Sequence, residues 1–142
     1  MMRAVTLIPG DGIGPEVAAA ARKVVDASGA KIEWHVAEAG AAQMEVCGTP
    51  LPQATIDSVR ADGLALKGPI TTPVGTGFRS VNVALRKTLD LYVCLRPVLS
   101  IPGAGGRYED LDLVIVRENS EDLYAGVEFE EGSAAAQRLI AF

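Results

Sequence analysis

An alternation of strand-like and helix-like segments, starting at residue 4, is the feature that most constrains the fold. Residues 4 to 9 form a short apolar run typical of a buried strand, and a glycine-rich turn, residues 10 to 14, follows it. Pro15 suits the first position of a helix. Apolar and polar residues then alternate over residues 31 to 36, as in a half-buried strand. This order predicts a β-α-β unit.

The alternation continues along the chain and predicts an α/β fold. In the first helix, one face is apolar and is expected to be buried; it carries Val17, Ala21, Val24 and Val25. The later segments are predicted as helices over residues 41–46, 52–60 and 80–90 and strands over 64–67, 91–96 and 111–117, with a turn at 103–107.

The glycine turn resembles the phosphate-binding turn of a Rossmann domain, but its spacing differs. A G-x-G-x-x-G pattern that starts at Gly10 would place Pro15 where the third glycine belongs. The turn therefore predicts a tight strand-to-helix connection with positive φ angles rather than a pyrophosphate site.

Length and composition are those of one soluble domain, since 49% of the 142 residues are hydrophobic. Stretches without charge, such as residues 68 to 78, are far shorter than the roughly 20 apolar residues of a membrane helix. The start, Met1 to Arg3, leads into the first strand without the apolar segment of a secretory signal. We therefore expect a cytoplasmic protein that crosses no membrane.

The charge distribution favours a small anionic ligand. The total is −5, yet residues 67 to 96 carry a net charge of +4 between acidic flanks. Such a cationic island can attract a small anion, whereas nucleic-acid binding would favour a broadly basic face. Charge alone leaves open the alternative that these groups only solvate a helix.

Metal-ligating residues are sparse in the sequence. His35 is the single histidine, which excludes a multi-histidine metal site in this chain and argues against a Ser-His-Asp triad. Cys47 and Cys94 lack CxxC spacing, so neither a zinc site nor a disulfide is predicted. We expect a solvated or structural role for His35 and assign no metal ligand.

Polar and cationic residues are grouped in a pattern suited to carboxylates. Asn82 and Arg86 are four residues apart on a predicted helix, and Ser80 stands at its entrance, where free N–H groups can receive an anion. Arg96 and Arg117 are placed at the ends of predicted strands. Each arginine alone could form a surface ion pair, but together with Ser80 and Asn82 they predict a polycarboxylate site.

Several of these segments match motifs of one family. They are the turn Gly10–Glu16, the loop Lys67–Pro73, the helix start Ser80–Arg86, the tripeptide Leu95–Pro97 and the segment Arg117–Tyr124. Along essentially its whole length the chain resembles the isocitrate and isopropylmalate dehydrogenase family. The resemblance implies a three-layer α/β fold that is not a Rossmann domain and is incomplete here. It implies residues 1–91 of a large domain, 92–124 of a small domain and 125–142 of a dimer-contact segment.

The resemblance also implies roles for individual residues. The substrate carboxylates would be bound by Ser80, Asn82, Arg86, Arg96 and Arg117, with Ser80 and Asn82 meeting the carboxylate that distinguishes isocitrate. Thr71 would contact the cofactor, although a threonine there is also ordinary turn chemistry, and Lys67 would assist at the nicotinamide end. Tyr124 would be the acid that protonates the enolate.

The implied reaction is the oxidative decarboxylation of isocitrate to 2-oxoglutarate. NAD or NADP would accept the hydride and Mg²⁺ or Mn²⁺ would stabilise the enolate, with metal ligands expected outside this chain. The family implies a homodimer of longer subunits, so the 142-residue chain alone is expected to be inactive. A homoisocitrate or related 2-hydroxy-acid dehydrogenase and a non-catalytic regulatory subunit are the alternatives.

Overall fold

The computed structural model describes residues 2–71, 80–121, 127 and 129–142. The chain divides into two compact units, Met1–Leu91 and Tyr92–Phe142. In chain order the elements are β1 (Arg3–Ile8), α1 (Gly14–Ala27), β2 (Ile32–Val36), α2 (Ala41–Cys47), α3 (Gln53–Asp62), β3 (Ala65–Lys67), α4 (Val81–Thr88), β4 (Val93–Leu99), β5 (Asp112–Glu118) and α5 (Ala134–Ala141). This mixture of helices and strands confirms the predicted α/β class.

The first unit contains a parallel sheet with the strand order β2-β1-β3. In the register of β1 with β2, Val5 lies opposite Trp34, and in that of β1 with β3, Leu7 lies opposite Leu66. Because β1 is the central strand, its residues 5 to 8 are buried. The predicted β-α-β unit is confirmed, with α1 as the connection between β1 and β2.

A hydrophobic core holds α3 and α4 to the sheet. Its buried members are Ile8, Ala39, Ile56, Val59, Ile70, Val81 and Leu85. Ile8 comes from the central strand, Ile56 from α3 and Leu85 from α4. Since each strand alternates the direction of its side chains, Ile8 and Thr6 share the face of β1 that meets α3. This packing fixes the start of α4 relative to the ends of β1 and β3.

The apolar face predicted for α1 is partly wrong. Val17 and Val24 are 46% and 71% exposed, whereas Gly14 and Ala18 are buried. The helix therefore turns its smallest side chains inward. Branched valines in those positions would hold the helix axis farther from its neighbours, so close packing selects glycine and alanine.

A polar cluster ties α3 to two strands of the sheet. The hydroxyl of Thr6, which is fully buried, donates to Asp62 Oδ2 at 2.6 Å and lies 2.9 Å from Ser58 Oγ. His35 Nδ1 lies 3.0 Å from Asp62 Oδ1, and its Nε2 lies 3.7 Å from Glu33. His35 thus joins β2 to α3, which is a structural role.

The free energy of unfolding should fall as the pH rises through the pKa of His35. The hydrogen bond to Asp62, followed by the charge of that carboxylate, raises the pKa of His35 above its ordinary value of 6.5. A raised pKa stabilises the fold while the imidazole is protonated, and that contribution is lost at higher pH. Urea unfolding on both sides of this pKa should show a pH dependence that His35→Gln removes. An unchanged pH dependence in the variant would contradict the role of His35.

The second unit contains an antiparallel pair of strands and a helix. Strand β4 pairs with β5 so that Arg96 faces Ile115 and Pro97 faces Val114. The prediction that Arg96 ends a strand is wrong, because β4 continues to Leu99. Proline tolerates this position since both strands of a two-stranded sheet are edges, where not every N–H needs a partner.

Helix α5 was not among the predicted elements. Ser133 caps it, and its Oγ accepts a hydrogen bond of 3.1 Å from the amide of Ala136. A serine followed by three alanines is a recognisable helix start. In the described part of the chain, no helix has the length and apolar character needed to cross a membrane.

Candidate functional site

The topology of the first unit marks one edge of its sheet as a ligand-binding position. From the central strand β1 the chain goes first to β2 on one side and then to β3 on the other. Where successive strands are added on opposite sides of a central strand, a crevice forms outside the carboxyl ends of the strands, and α/β proteins bind ligands there. The segments at this edge are the glycine turn, residues 10 to 14, and the loop of residues 68 to 71.

The glycine turn and this loop are in direct contact. The amide of Gly68 donates to Ile8 O at 2.7 Å, and the amide of Asp11 donates to Pro69 O at 3.1 Å. A Cβ added to Gly10 would collide with the carbonyl oxygen of Pro69. The predicted tight turn with positive φ is confirmed, with φ of 79° at Gly10 and 59° at Gly12. Because Gly10 has no Cβ, the backbone of the turn can contact the backbone of the loop at Pro69. The spacing of the glycines alone did not predict this contact.

Asp11 is a site residue that the sequence reasoning missed. Its carboxylate accepts 2.6 Å and 2.9 Å hydrogen bonds from the amides of Thr71 and Ala41. Burial raises the pKa of Asp11, but these two amides, with smaller effects from the Thr71 hydroxyl and the charge of Lys67, outweigh burial and leave the pKa below its ordinary value. An acidic residue inside a turn at a ligand-binding edge was the signal that could have found it.

Lys67, at the same edge, is influenced by the charge of Arg86. Lys67 ends β3, and its Nζ donates to Gly68 O at 2.6 Å. Burial lowers the pKa of Lys67, the charge of Arg86 lowers it further, and the weaker influence of Asp11 does not restore it. Arg86 is half-buried on α4, and the structure gives it no carboxylate partner in the described part of the chain. The positive charges of Lys67 and Arg86 together favour a bound anion.

The start of α4 adds polar groups on the same helix as Arg86. Ser80 is the N-cap residue of α4, as predicted. Asn82 follows it one turn before Arg86, so both side chains lie on one face of the helix. The Oδ1 atom of Asn82 is buried and accepts no hydrogen bond from residues 2–71, 80–121, 127 or 129–142. Since buried polar atoms are normally paired, this oxygen is suited to a ligand hydroxyl or another donor.

In the second unit, the two predicted arginines lie on one face of the strand pair. Arg96 faces Ile115 and Arg117 faces Cys94, so the arginines are diagonal neighbours across the ladder. Tyr124, predicted as the catalytic acid, lies outside the described residues. Glu118 accepts backbone hydrogen bonds from Ser120 and Glu121, which lower the pKa of its carboxyl and fix the turn that follows β5.

The described part of the chain, residues 2–71, 80–121, 127 and 129–142, contains no arrangement of three or more His, Cys, Asp or Glu side chains suited to a metal ion. These residues therefore do not fit a divalent metal by themselves, and none of them is assigned as its ligand.

Comparison with known proteins agrees with the resemblance found in the sequence. The model of the family described as isocitrate/isopropylmalate dehydrogenase matches residues 4–141. The isocitrate dehydrogenase [NADP] of Staphylococcus aureus is 46% identical over 97% of this chain. A probable isocitrate dehydrogenase [NAD] subunit alpha, mitochondrial, of Drosophila melanogaster is 47% identical over 95% of it. The chain spans about a third of the length of these relatives, 35% and 36% respectively.

A solved structure confirms the predicted fold. The crystal structure of isocitrate dehydrogenase from Methylococcus capsulatus has a TM-score of 0.81 and 54% sequence identity, and the match covers 89% of this chain and 37% of that one. A beta-decarboxylating dehydrogenase from Thermococcus kodakarensis has a TM-score of 0.72 at 37% identity, over 84% of this chain and 35% of that one. The chain belongs to the isocitrate/isopropylmalate dehydrogenase family.

Proposed function

We propose that this chain supplies the substrate-binding part of an enzyme that oxidises and decarboxylates isocitrate to 2-oxoglutarate. The curated relatives named above are isocitrate dehydrogenases, some named for NADP and some for NAD. Because these names include both NADP and NAD, they support a nicotinamide cofactor and leave the choice between the two open. Homodimer formation and a cytoplasmic location stay predictions.

The observation that carries this proposal is the buried Oδ1 atom of Asn82, which has no donor in the described part of the chain and lies one helix turn from Arg86 on the same face of α4. Burial and then the charge of Arg86 lower the pKa of Lys67. A carboxylate would offset the repulsion between the cations and accept charge-assisted hydrogen bonds from Arg86. A hydroxyl on the same ligand would supply the donor that Asn82 Oδ1 needs. Isocitrate carries both groups.

The residues around the start of α4 have separate proposed roles. Arg86 would bind a substrate carboxylate, whereas Ser80 and the Nδ2 group of Asn82 would meet the carboxylate that distinguishes isocitrate. The helix N-terminus at Ser80 would favour that negative charge. Lys67, the last residue of β3, and Thr71, in the loop that follows it, would lie on the cofactor side of the ligand-binding edge. A bound nicotinamide would accept the hydride.

The second unit would contribute its own carboxylate ligands. Arg96 and Arg117 share one face of the β4-β5 pair, and guanidinium groups bind carboxylates through paired hydrogen bonds. Tyr124 is proposed as the acid of the reaction from the family motif alone. The proposed reaction also uses Mg²⁺ or Mn²⁺, and no residue of this chain is assigned as a ligand of that ion.

Replacing Asn82 with leucine should separate isocitrate from isopropylmalate. The apolar side chain removes the amide and favours a ligand with an apolar group in that position, so we expect isocitrate to bind about tenfold more weakly, the effect of one lost hydrogen bond. Binding of isopropylmalate should be unchanged or tighter. Titration calorimetry of the 142-residue chain with each compound measures both affinities.

The matched control is Thr88→Leu, which changes an exposed side chain on the same helix. It should alter neither affinity. If Asn82→Leu weakened the two compounds equally, the proposed recognition of isocitrate by Asn82 would be wrong. If the parent chain preferred isopropylmalate, the proposed substrate itself would be wrong.

A further inference from the structure

One carboxylate joins three segments of the first unit. Asp11 belongs to the glycine turn after β1, and its side chain binds the amide of Thr71 after β3 at 2.6 Å. The other carboxylate oxygen binds the amide of Ala41, the first residue of α2, at 2.9 Å. The backbone of Asp11 adds a bond to Pro69 O at 3.1 Å. Asp11 therefore binds the loop of residues 68 to 71 through both its side chain and its backbone amide.

This arrangement differs from an ordinary helix cap. An aspartate in front of a helix usually accepts hydrogen bonds from the amides of that same helix. Asp11 precedes α1, yet both of its side-chain bonds go to residues 30 and 60 positions away in sequence. The side chain is therefore directed toward the neighbouring loops, where one of its partners is the residue with a proposed cofactor contact.

Gly40 leaves room for the side chain of Asp11. A Cβ on Gly40 would collide with Asp11 Oδ2, whereas a Cβ on Gly12 would make an ordinary contact, 3.4 Å from the Thr71 hydroxyl. Both glycines have positive φ, 126° and 59°. The two amide hydrogen bonds, with the absence of a Cβ at Gly40, fix the carboxylate between the turn and its partner segments, as orientation of a loop requires.

We infer that Asp11 is a positioning residue, whose carboxylate orients Thr71 toward the nicotinamide cofactor. The inference rests on the proposed function, which gives Thr71 its cofactor contact. A free carboxylate beside an anionic nucleotide would repel it. Two backbone amides bind the carboxylate of Asp11, and the charge of Lys67 interacts with it, so part of that repulsion is offset while the carboxylate holds the loop.

The Asp11→Asn variant tests the contact itself. Asparagine has nearly the same shape but only one acceptor oxygen, so it can serve the amide of Thr71 or that of Ala41 and not both. Nuclear magnetic resonance of the 142-residue chain should show the Thr71 or the Ala41 amide displaced and exchanging with solvent at least tenfold faster. Resonances of α3 should stay in place. Unchanged Thr71 and Ala41 amides would overturn the inference.

Nucleotide binding tests the consequence. Asp11→Asn should weaken the binding of NADP and of NAD by about tenfold, which corresponds to one charge-assisted hydrogen bond. Asp62→Asn is the control for a purely structural effect, because it disrupts the polar cluster on α3 away from the loop and should destabilise the fold while leaving nucleotide affinity unchanged. Equal weakening by the two variants would overturn the inference.

Thr71→Ala separates the inference from the proposed function. If this variant binds both nucleotides as the parent does, the cofactor contact of Thr71 is wrong and the proposed function loses that element. If Thr71→Ala weakens binding and Asp11→Asn does not, Asp11 is not a positioning residue, while the proposed function stands. If the parent chain binds neither NADP nor NAD, the proposed cofactor role of this chain is wrong. The exchange rate of the Thr71 amide in Asp11→Asn then still decides whether Asp11 holds the loop.

Discussion

Gly68→Ala should destabilise the first unit by about 3 kcal/mol, the upper range for forcing an extra group into a packed interior. A Cβ at this position would overlap the carbonyl of Pro9 and approach the carbonyl of Gly14. Both obstacles are backbone atoms, so no side chain can rotate away. Relief requires separating the loop from the glycine turn, which breaks the 2.7 Å bond from Gly68 N to Ile8 O. Chemical denaturation of the parent and variant chains measures the difference.

Alanine substitutions at two other glycines distinguish the stability cost of steric overlap from that of backbone strain. Gly29 has a φ of 84° and open space around it, so Gly29→Ala should cost about 1 kcal/mol from the left-handed conformation alone. Gly106 does not have a positive φ, and its nearest atom would be 3.6 Å from an added Cβ, so Gly106→Ala should change stability by less than about 0.5 kcal/mol. If Gly68→Ala cost no more than Gly29→Ala, the contact between turn and loop would not be tight.

The parallel part of the fold could be predicted because local patterns and tertiary structure agree there. Alternation over residues 31 to 36, the proline after the glycine turn and the short apolar strand at residues 4 to 9 each correspond to an element of the structure. The inward face of α1 could not be predicted from hydrophobicity. Close packing on that face requires small residues, so Gly14 and Ala18 are buried there, whereas Val17 and Val24 are exposed.

The candidate site was predictable where its residues share one helix. Spacing alone places Asn82 and Arg86 on the same face of α4. The electrostatic influence of Arg86 on Lys67 joins residues of α4 and β3, which are distant in sequence, so it is a tertiary property. Asp11 escaped prediction for a similar reason, since its partners Ala41 and Thr71 are distant in sequence. The roles of Arg96, Arg117 and Tyr124 come from the family motif and stay predictions.

Arg86→Ala should weaken isocitrate binding by roughly 100-fold. Two charge-assisted hydrogen bonds from a guanidinium to one carboxylate contribute about 3 kcal/mol together, and each 1.4 kcal/mol corresponds to a factor of ten. The structure gives Arg86 no carboxylate partner in its described part, so the substitution breaks no ion pair there. Titration calorimetry of the 142-residue chain with isocitrate measures the loss.

A second measurement on the same variant reports on the site without any ligand. The charge of Arg86 lowers the pKa of Lys67, so its removal should raise that pKa toward the ordinary value of 10.5. Nuclear magnetic resonance of the Lys67 side chain during a pH titration follows this shift. The sign is fixed by electrostatics, because a cation disfavours a second positive charge nearby. No shift would mean that the two side chains are apart in solution.

The matched control for Arg86→Ala is Arg22→Ala, which removes an arginine of the same unit from a different surface. Arg22 pairs with Asp26 at 3.5 Å and lies over the ring of Trp34 at 5.9 Å. Its loss changes the net charge by the same amount as the loss of Arg86, so any general electrostatic effect on an anionic ligand appears in both variants. Isocitrate affinity should be nearly unchanged in Arg22→Ala. Equal losses in the two variants would show that isocitrate responds to total charge, and the specific carboxylate contact of Arg86 would be wrong.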